Sequence, residues 1–289
     1  MAAFNPRGYM VFIFRVLSRL PLGIVHLLGG WLGRLTYLLS PTYRRHVREN
    51  MAQAGLDSSL YSAAAAESGK QMLELARIWL RTQEEANAQV VEVCGREYVE
   101  AAQLAGKGVV YLTPHLGCFE ITAQYLSIFG DITVLYRPPR QAWIQNMILG
   151  GRQRERLHLA PADLTGVRSL IKALKKGQAV GMLPDQAPKV GEGVWLNFFG
   201  KPAYTMTLAA RLTETGATTL MAWGERLPNG RGYRLHFHPP RQALSGTTVD
   251  RAQQINVEVE TLVRECPTQY LWGYNRYKQP SGAEAPPVG

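Results

Sequence analysis

The sequence predicts an α/β fold, a single domain with a central, mostly parallel sheet flanked by helices, behind an N-terminal membrane helix. Short β-branched runs such as residues 108–113 alternate with segments of helical spacing such as 59–82, a pattern typical of parallel sheets. No repeat or linker interrupts this alternation, so we expect one domain over residues 41–278. We assign the apolar residues 1–40 to the membrane anchor and the Pro/Gly/Ala-rich residues 279–289 to a disordered tail.

The first predicted element is the mostly apolar segment over residues 9–39. Four basic residues interrupt it: Arg15, Arg19, His26 and Arg34. A signal peptide would carry its charges first and end at a small-residue cleavage site, and that pattern is absent. The cleanest run, 20–33, is shorter than the ~20 residues of a spanning helix. A helix in the membrane interface, a spanning helix with a snorkelling Arg34, and a buried core helix all remain open.

The other elements follow from hydrophobic spacing and from the glycines and prolines that break it. Helices are predicted over residues 59–82, 98–105, 120–129, 141–158, 167–176 and 249–266. Strands are predicted over residues 90–93, 108–113, 132–136, 179–183, 218–223 and 233–238. Gly106, Gly130 and Gly177 follow three of the helices, where a C-terminal cap favours glycine.

The composition narrows the function without deciding it. Lys and Arg number 32 against 22 Asp and Glu, for a net charge of +10, so the surface attracts nucleic acid, anionic membranes or acidic substrates. There is no zinc-ligand spacing, aromatic RNA-binding motif or uniformly basic helix, so a nucleic-acid function rests on charge alone. The three cysteines, Cys94, Cys118 and Cys266, fit a reducing compartment better than a disulfide framework.

The segment 113–120, Thr-Pro-His-Leu-Gly-Cys-Phe-Glu, carries the candidate chemistry. It lies where a buried strand ends and a helix begins, the usual place for a site in an open α/β sheet. Along a continuous helix His115 and Glu120 would point apart, but a loop histidine and a first-turn glutamate can meet. A carboxylate on one ring nitrogen would leave the other as a general base. The alternative is a histidine and a glutamate that never meet.

Beyond this motif, the chain resembles a known family. His115-Leu-Gly-Cys-Phe-Glu120 is similar to the His-x4-Asp/Glu motif of glycerolipid acyltransferases. In its Glu form, with the rest of the chain, it resembles the late acyltransferases of lipid A biosynthesis, the lauroyl and myristoyl transferases. Further matching stretches are Arg44-Arg-His-Val-Arg-Glu-Asn50, Tyr136-Arg-Pro-Pro139, Gly151-Arg-Gln-Arg154, the helix 170–177, Leu183-Pro-Asp-Gln186 and the stretch 191–200. The likeness covers essentially residues 10–278 in the expected order.

This resemblance implies a mechanism and a set of partners. His115 would deprotonate the hydroxyl of a 3-hydroxyacyl chain on a lipid A precursor, with Glu120 orienting it, and the hydroxyl would attack an acyl-acyl carrier protein thioester. Arg152, Asp185 and Arg137 would support the oxyanion or bind substrate. No metal, cofactor or covalent intermediate is implied. The expected partners are the carrier protein, a glycolipid acceptor and the cytoplasmic face of the inner membrane, without nucleic acid.

Some alternatives remain open. Related enzymes use the same chemistry on a lysophospholipid, a phosphatidylinositol mannoside or an aminolipid. A non-catalytic protein that binds anionic lipid in the membrane is a rival of another class, and the intact His115/Glu120 pair argues against it. Cys118 beside His115 suggests a cysteine nucleophile, but the resembled family uses none there. Buried free cysteine is commonly packing, so we expect Cys118 to be a bystander.

Overall fold

A seven-stranded sheet forms the centre of the protein in the computed structural model, which describes residues 6–137 and 150–287. The strands are β1 (Val90–Cys94), β2 (Val109–Leu112), β3 (Ile132–Tyr136), β4 (Leu157–Pro161), β5 (Ala179–Met182), β6 (Gly193–Phe198), β7 (Lys201–Met206), β8 (Thr218–Arg226) and β9 (Tyr233–His238). The helices are α1 (Pro6–Arg19), α2 (Leu22–Leu39), α3 (Pro41–Gln53), α4 (Tyr61–Leu80), α5 (Gln83–Asn87), α6 (Arg96–Ala105), α7 (Phe119–Leu126), α8 (Leu164–Lys175), α9 (Leu208–Thr213) and α10 (Thr248–Glu265).

The strand order across the sheet is β1-β9-β8-β2-β5-β3-β4, and β6 and β7 form a separate hairpin. Every neighbouring pair in the large sheet is parallel apart from β8 and β9. Strands β2 and β5 lie near its middle and are buried along their whole length. Their continuous apolar sequences suit strands that are covered on both faces. The predicted α/β fold with a mostly parallel sheet is confirmed.

The two faces of the sheet carry separate hydrophobic clusters. Because side chains alternate along a strand, β2 sends Val110 and Leu112 to one face and Val109 and Tyr111 to the other. The first, here called the Leu112 face, packs against α8, α9 and α10. The second, the Tyr111 face, packs against α6 and α7. Both faces are therefore covered where the carboxyl ends of β2, β5 and β3 meet.

Helix α2 packs along α4 through glycines. A Cβ atom added to Gly29 or Gly33 of α2, or to Gly69 of α4, would overlap backbone atoms of the facing helix. Small residues allow two helices to approach this closely. The opposite side of α2 is a stripe of exposed apolar side chains, here called the apolar face: Ile24, Leu27, Leu28, Trp31, Leu32, Leu35, Leu38 and Leu39. By length and composition, α2 is also able to cross a membrane.

Most predicted elements are confirmed with ends that differ by no more than three residues: α4, α6, α7, α8 and α10, and β1, β2, β3, β5, β8 and β9. The apolar segment 9–39 is two helices, α1 and α2, and not one. Leu20 and Pro21 separate them, because proline removes a backbone donor and disfavours the helical conformation of the preceding residue.

The helix predicted over residues 141–158 is wrong at its carboxyl end. Residues 141–149 lie outside the described residues, and residues 150–152 are helical. Leu157 begins strand β4, which pairs in parallel with β3 at the edge of the sheet. The alternation of Leu157, His158 and Leu159 suits a strand, but three residues are too few to outweigh a neighbouring helical pattern.

The hairpin of β6 and β7 and the short helix α9 were not predicted. The two strands pair from Gly193↔Met206 to Phe198↔Lys201, so Phe199 and Gly200 form a two-residue turn. Both have positive φ, 49° and 76°, as a type I′ turn requires. Phe-Gly is an unusual pair for this turn, and the more familiar Asn-Gly or Asp-Gly signal is absent here.

Candidate active site

The loop after β2 carries His115 and is held by backbone contacts to two segments of the chain. Leu271 N–H donates to the His115 carbonyl (3.1 Å), and Gly117 N–H donates to the Gln269 carbonyl (3.0 Å). Gly117 has φ +59°, and a Cβ there would overlap the carbonyl of Gly224, so the position requires glycine. The loop is thus fixed between β8 and the segment that follows α10.

His115 is paired with Asp185 from the loop after β5. The His115 ring Nδ1 lies 2.8 Å from Asp185 Oδ1, and the His115 backbone N–H donates to Asp185 Oδ2 (3.0 Å). Strands β2 and β5 are parallel neighbours, so their carboxyl ends bring the two loops together. A carboxylate at Nδ1 favours the tautomer with its proton there and leaves Nε2 free to accept one. The amide Nε2 of Gln186 lies 3.2 Å from that Nε2.

Asp185 is held as an anion under the imidazole. Its side chain is almost fully buried. Burial alone would raise the pKa of Asp185, but the charge of protonated His115 and the two hydrogen bonds from His115 hold that pKa below its usual value. A carboxylate in this position can stabilise an imidazolium ion formed during proton transfer.

Glu120 is not bonded to His115, contrary to the orienting role expected from the motif. It lies in the first turn of α7. Its Oε2 accepts from Arg152 Nε (2.8 Å) and from Trp79 Nε1 (3.0 Å), and its Oε1 accepts from Arg152 Nη2. The guanidinium of Arg152 also lies over the Trp79 ring, 5.4 Å from its centroid. The motif therefore supplies two separate pairs, His115 with Asp185 and Glu120 with Arg152.

A cavity of about 720 Å³ joins the two pairs, within the size range of small-molecule sites. His115, Glu120, Arg152 and Gln186 line it, and so does Arg137 at the end of β3. Most of the other lining side chains are apolar and come from the sheet, α7, α8 and α9. Four of the five predicted site residues thus line one cavity, and Asp185 lies behind His115. The arrangement offers a base, a fixed cation and an apolar compartment.

Cys118 is a buried neighbour of this site. It is 1% exposed and belongs to the cluster on the Tyr111 face. Burial raises the pKa of the Cys118 thiol well above its usual value, and the nearby Glu74 raises it further. A thiol in such surroundings stays protonated and unreactive, as expected for a packing residue.

Trp79 and Gln186 were not among the predicted site residues. Gln186 stands beside Asp185 in the Pro-Asp-Gln stretch, so that motif did contain the signal. Trp79 comes from α4, and its apolar spacing with Leu75 and Ile78 indicated only a buried helix face. Its indole N–H contact with Glu120 depends on the tertiary packing of α4 against α7.

Comparison with known proteins identifies the family of the chain. The family model described as bacterial lipid A biosynthesis acyltransferase matches residues 8–279. The lipid A biosynthesis lauroyltransferase of Escherichia coli (strain K12) is 25% identical over 301 residues, covering 97% of this chain and 95% of that protein. The lipid A biosynthesis palmitoleoyltransferase of the same organism is 26% identical, covering 65% of this chain and 61% of that protein. The chain is an acyltransferase and belongs to the bacterial lipid A biosynthesis acyltransferase family.

Proposed function

We propose that this enzyme transfers a fatty acyl chain from acyl carrier protein to the hydroxyl of a 3-hydroxyacyl chain on a lipid A precursor. One observation carries the proposal: the His115–Asp185 pair stands at the wall of a largely apolar cavity. Acyl transfer to a hydroxyl needs a base for the hydroxyl proton and a dry compartment for the chain.

In this mechanism the ring Nε2 of His115 takes the proton of the acceptor hydroxyl as its oxygen attacks the thioester carbonyl carbon. The C–O bond forms, the C–S bond breaks, and His115 returns the proton to the departing thiol. Asp185 stabilises the imidazolium between these steps. No covalent enzyme intermediate is needed, because the acceptor attacks the thioester directly.

In this proposal Arg152 stabilises negative charge on the thioester oxygen. Glu120 and Trp79 hold its guanidinium at the cavity wall. Preorganised cations of this kind act where charge develops in the transition state. Glu120 is then a positioning residue for Arg152, and not for His115. Arg137, exposed at the end of β3, is available to a phosphate of the acceptor.

The charge of the chain favours the proposed substrates. Carrier protein is acidic, lipid A precursors carry phosphates, and the chain has a net charge of +10. Opposite charge accelerates encounter and is sensitive to salt. Activity should therefore decline as ionic strength rises.

We propose that α2 lies in the interface of the inner membrane, on its cytoplasmic face, and does not cross the bilayer. Gly29 and Gly33 pack on α4, and His26 of α2 bonds the fully buried Glu74 of α4 (3.1 Å). A spanning position would remove these contacts from the domain. The apolar face of α2 remains free to enter the lipid, as in an interfacial amphipathic helix.

The vesicle-binding prediction uses two leucines of similar character. Leu35→Glu, on the apolar face of α2, should strongly reduce co-sedimentation with vesicles containing anionic lipid, because it places a charge in the lipid. Leu104→Glu is the matched control: Leu104 is 89% exposed on α6, and binding should stay unchanged. Equal binding by both variants would exclude the apolar face of α2 as the membrane contact.

The proposed activity is tested with purified protein, a panel of acyl carrier protein thioesters and a lipid A precursor. Mass spectrometry should find the acceptor heavier by one acyl group, and the gain identifies the chain. Transfer only to a lysophospholipid, a phosphatidylinositol mannoside or an aminolipid would replace the acceptor in this proposal. Binding without transfer to any acceptor would contradict the proposal as a whole.

A further inference from the structure

One part of the cavity is lined by α7 and by apolar side chains on the Tyr111 face of the sheet. Along the register of the parallel strands, Tyr111 of β2, Gly181 of β5, Val134 of β3 and Leu159 of β4 stand in one row. All four line the cavity. We call this row the middle row and this part of the cavity the inner pocket.

The depth of the inner pocket follows from strand geometry. Ile132 and Leu157 line the cavity two residues nearer the amino ends of β3 and β4, and they are only 1% and 2% exposed. Tyr136 lines it two residues nearer the carboxyl end of β3 than the middle row. With a rise of ~3.3 Å per residue, the pocket extends about 13 Å from Tyr136 to Ile132. Such a compartment suits an unbranched chain that enters near His115 and ends at Ile132 and Leu157.

Gly181 is the position that keeps the middle row open. A Cβ atom there would lie 2.9 Å from Val134 Cγ1 and 3.6 Å from Ile132 Cδ1. The other strands of the row carry Tyr, Val and Leu. Even one methyl group at position 181 would therefore narrow the inner pocket or displace Val134. On the opposite side, α7 contributes Ala123, another small residue, and Leu126.

The inner pocket differs from the other parts of the cavity in the charge of its lining side chains. Its inner rows contain no charged side chain among the described residues, whereas Asp163, Glu192, Arg211 and Lys278 line other parts of the cavity. A polar, phosphate-bearing acceptor fits the charged parts. A free hydrocarbon end fits the inner pocket, because burial of apolar surface is its main source of affinity.

We infer that the inner pocket holds the acyl chain being transferred and sets its length, with Gly181 keeping it open and Ile132 and Leu157 closing it. This inference rests on the proposed function, since it assumes transfer of an acyl chain from a thioester donor. One methylene in a hydrophobic pocket changes substrate preference by about tenfold or more. Single substitutions in these rows should therefore change the preferred chain length.

The test compares kcat/KM for carrier thioesters that differ by two carbons. Gly181→Ala should move the optimum to shorter chains, and Leu157→Ala should move it to longer chains, each changing the long-to-short ratio by about tenfold or more. Leu170→Ala is the matched control: Leu170 is fully buried on the Leu112 face and is not a cavity residue. It should leave the ratio unchanged.

A second measurement separates this inference from the proposed function. Displacement of a fluorescent fatty acid by free fatty acids of graded length reports the pocket without turnover, and it should show the same shifts. An active wild-type enzyme with an unchanged donor profile in both variants would overturn the inference alone. A change in acceptor-chain preference in place of donor preference would overturn it too. A wild-type enzyme that transfers no chain would contradict the proposed function, and the displacement series would still decide whether the pocket measures length.

Discussion

The His115→Ala variant should transfer acyl chains about 10²–10⁴ times more slowly than the wild-type enzyme, the usual contribution of a general base. The loss should appear in kcat, because in the proposed mechanism His115 acts on the hydroxyl proton in the transition state. Single-turnover assays with saturating carrier thioester and lipid acceptor measure it directly. Wild-type turnover in this variant would exclude His115 as the base.

His115→Asn is the control for structural damage, because an asparagine amide can still donate to Asp185. It should be as inactive as His115→Ala and closer to wild type in melting temperature.

Asp185→Asn should lower kcat by about 10²-fold or more, since it favours the wrong tautomer of His115. Glu120→Gln should act through Arg152 and leave the pH dependence of kcat unchanged. A shift in the pH dependence of kcat in Glu120→Gln, without one in Asp185→Asn, would show that Glu120 orients His115.

The same pair predicts a pH dependence of stability. The pKa of Asp185 is lower in the folded protein than its ordinary value. Its stabilising contribution is therefore complete above the unfolded pKa of ~3.9 and is lost as the pH falls through the lower folded value. Asp185→Asn should lack this contribution, which thermal unfolding between pH 7 and pH 3 measures.

Arg226→Met should lower the free energy of unfolding by about 3–5 kcal/mol, because it strips a buried carboxylate of its main partner. Arg226 Nη2 and Nε contact Glu74 at 2.6 and 2.8 Å, and Nη1 contacts Glu67 at 2.7 Å. Glu74 is fully buried. Burial would raise the pKa of Glu74, but Arg226 and, to a smaller extent, His26 lower it. Urea unfolding followed by circular dichroism measures the difference.

Two comparisons identify the cause of that loss. Arg96→Met breaks the exposed pair of Arg96 with Glu100 and should cost less than about 1 kcal/mol. In Arg226→Met the unpaired Glu74 should have a raised pKa, so the deficit should shrink as the pH falls toward ~4. The double variant Glu74→Leu/Arg226→Met should recover much of the stability. An equal loss in the double variant would show that packing and not charge is responsible.

The fold was predictable because its strands and helices differ in local pattern. Strand β2 is a β-branched run, and a glycine follows the carboxyl end of α8. Nearest neighbours in the sequence therefore suffice to predict both elements. Strand β4 was missed because an edge strand is defined by its partner β3. The β6–β7 hairpin was missed because Phe199 adopts a positive φ, which phenylalanine residues rarely do.

Five residues of the candidate site were predicted from the sequence, but most of their contacts with one another were not. Residues His115 and Glu120 are five apart, and their proximity in the sequence suggested a pair. Asp185 is 70 residues from His115 and reaches it only because β5 lies beside β2 in the sheet. Arg152 reaches Glu120 across 32 residues, from the segment between β3 and β4 to the first turn of α7. Strand order is a tertiary property, and no local spacing reveals it.

Helix α4 connects three functional parts of the molecule at once. Gly69 contacts α2, Gln71 donates to the carbonyl of Gly117 beside His115, and Trp79 donates to Glu120. One inserted residue between positions 71 and 79 would rotate the two halves of α4 by about 100° and shift them by about 1.5 Å. Helix α2 and the side chains of the candidate site would then lose their mutual alignment in a single step. The position of His115 relative to the apolar face of α2 is thus set by the number of residues in one helix, so α4 should tolerate substitutions far better than insertions or deletions.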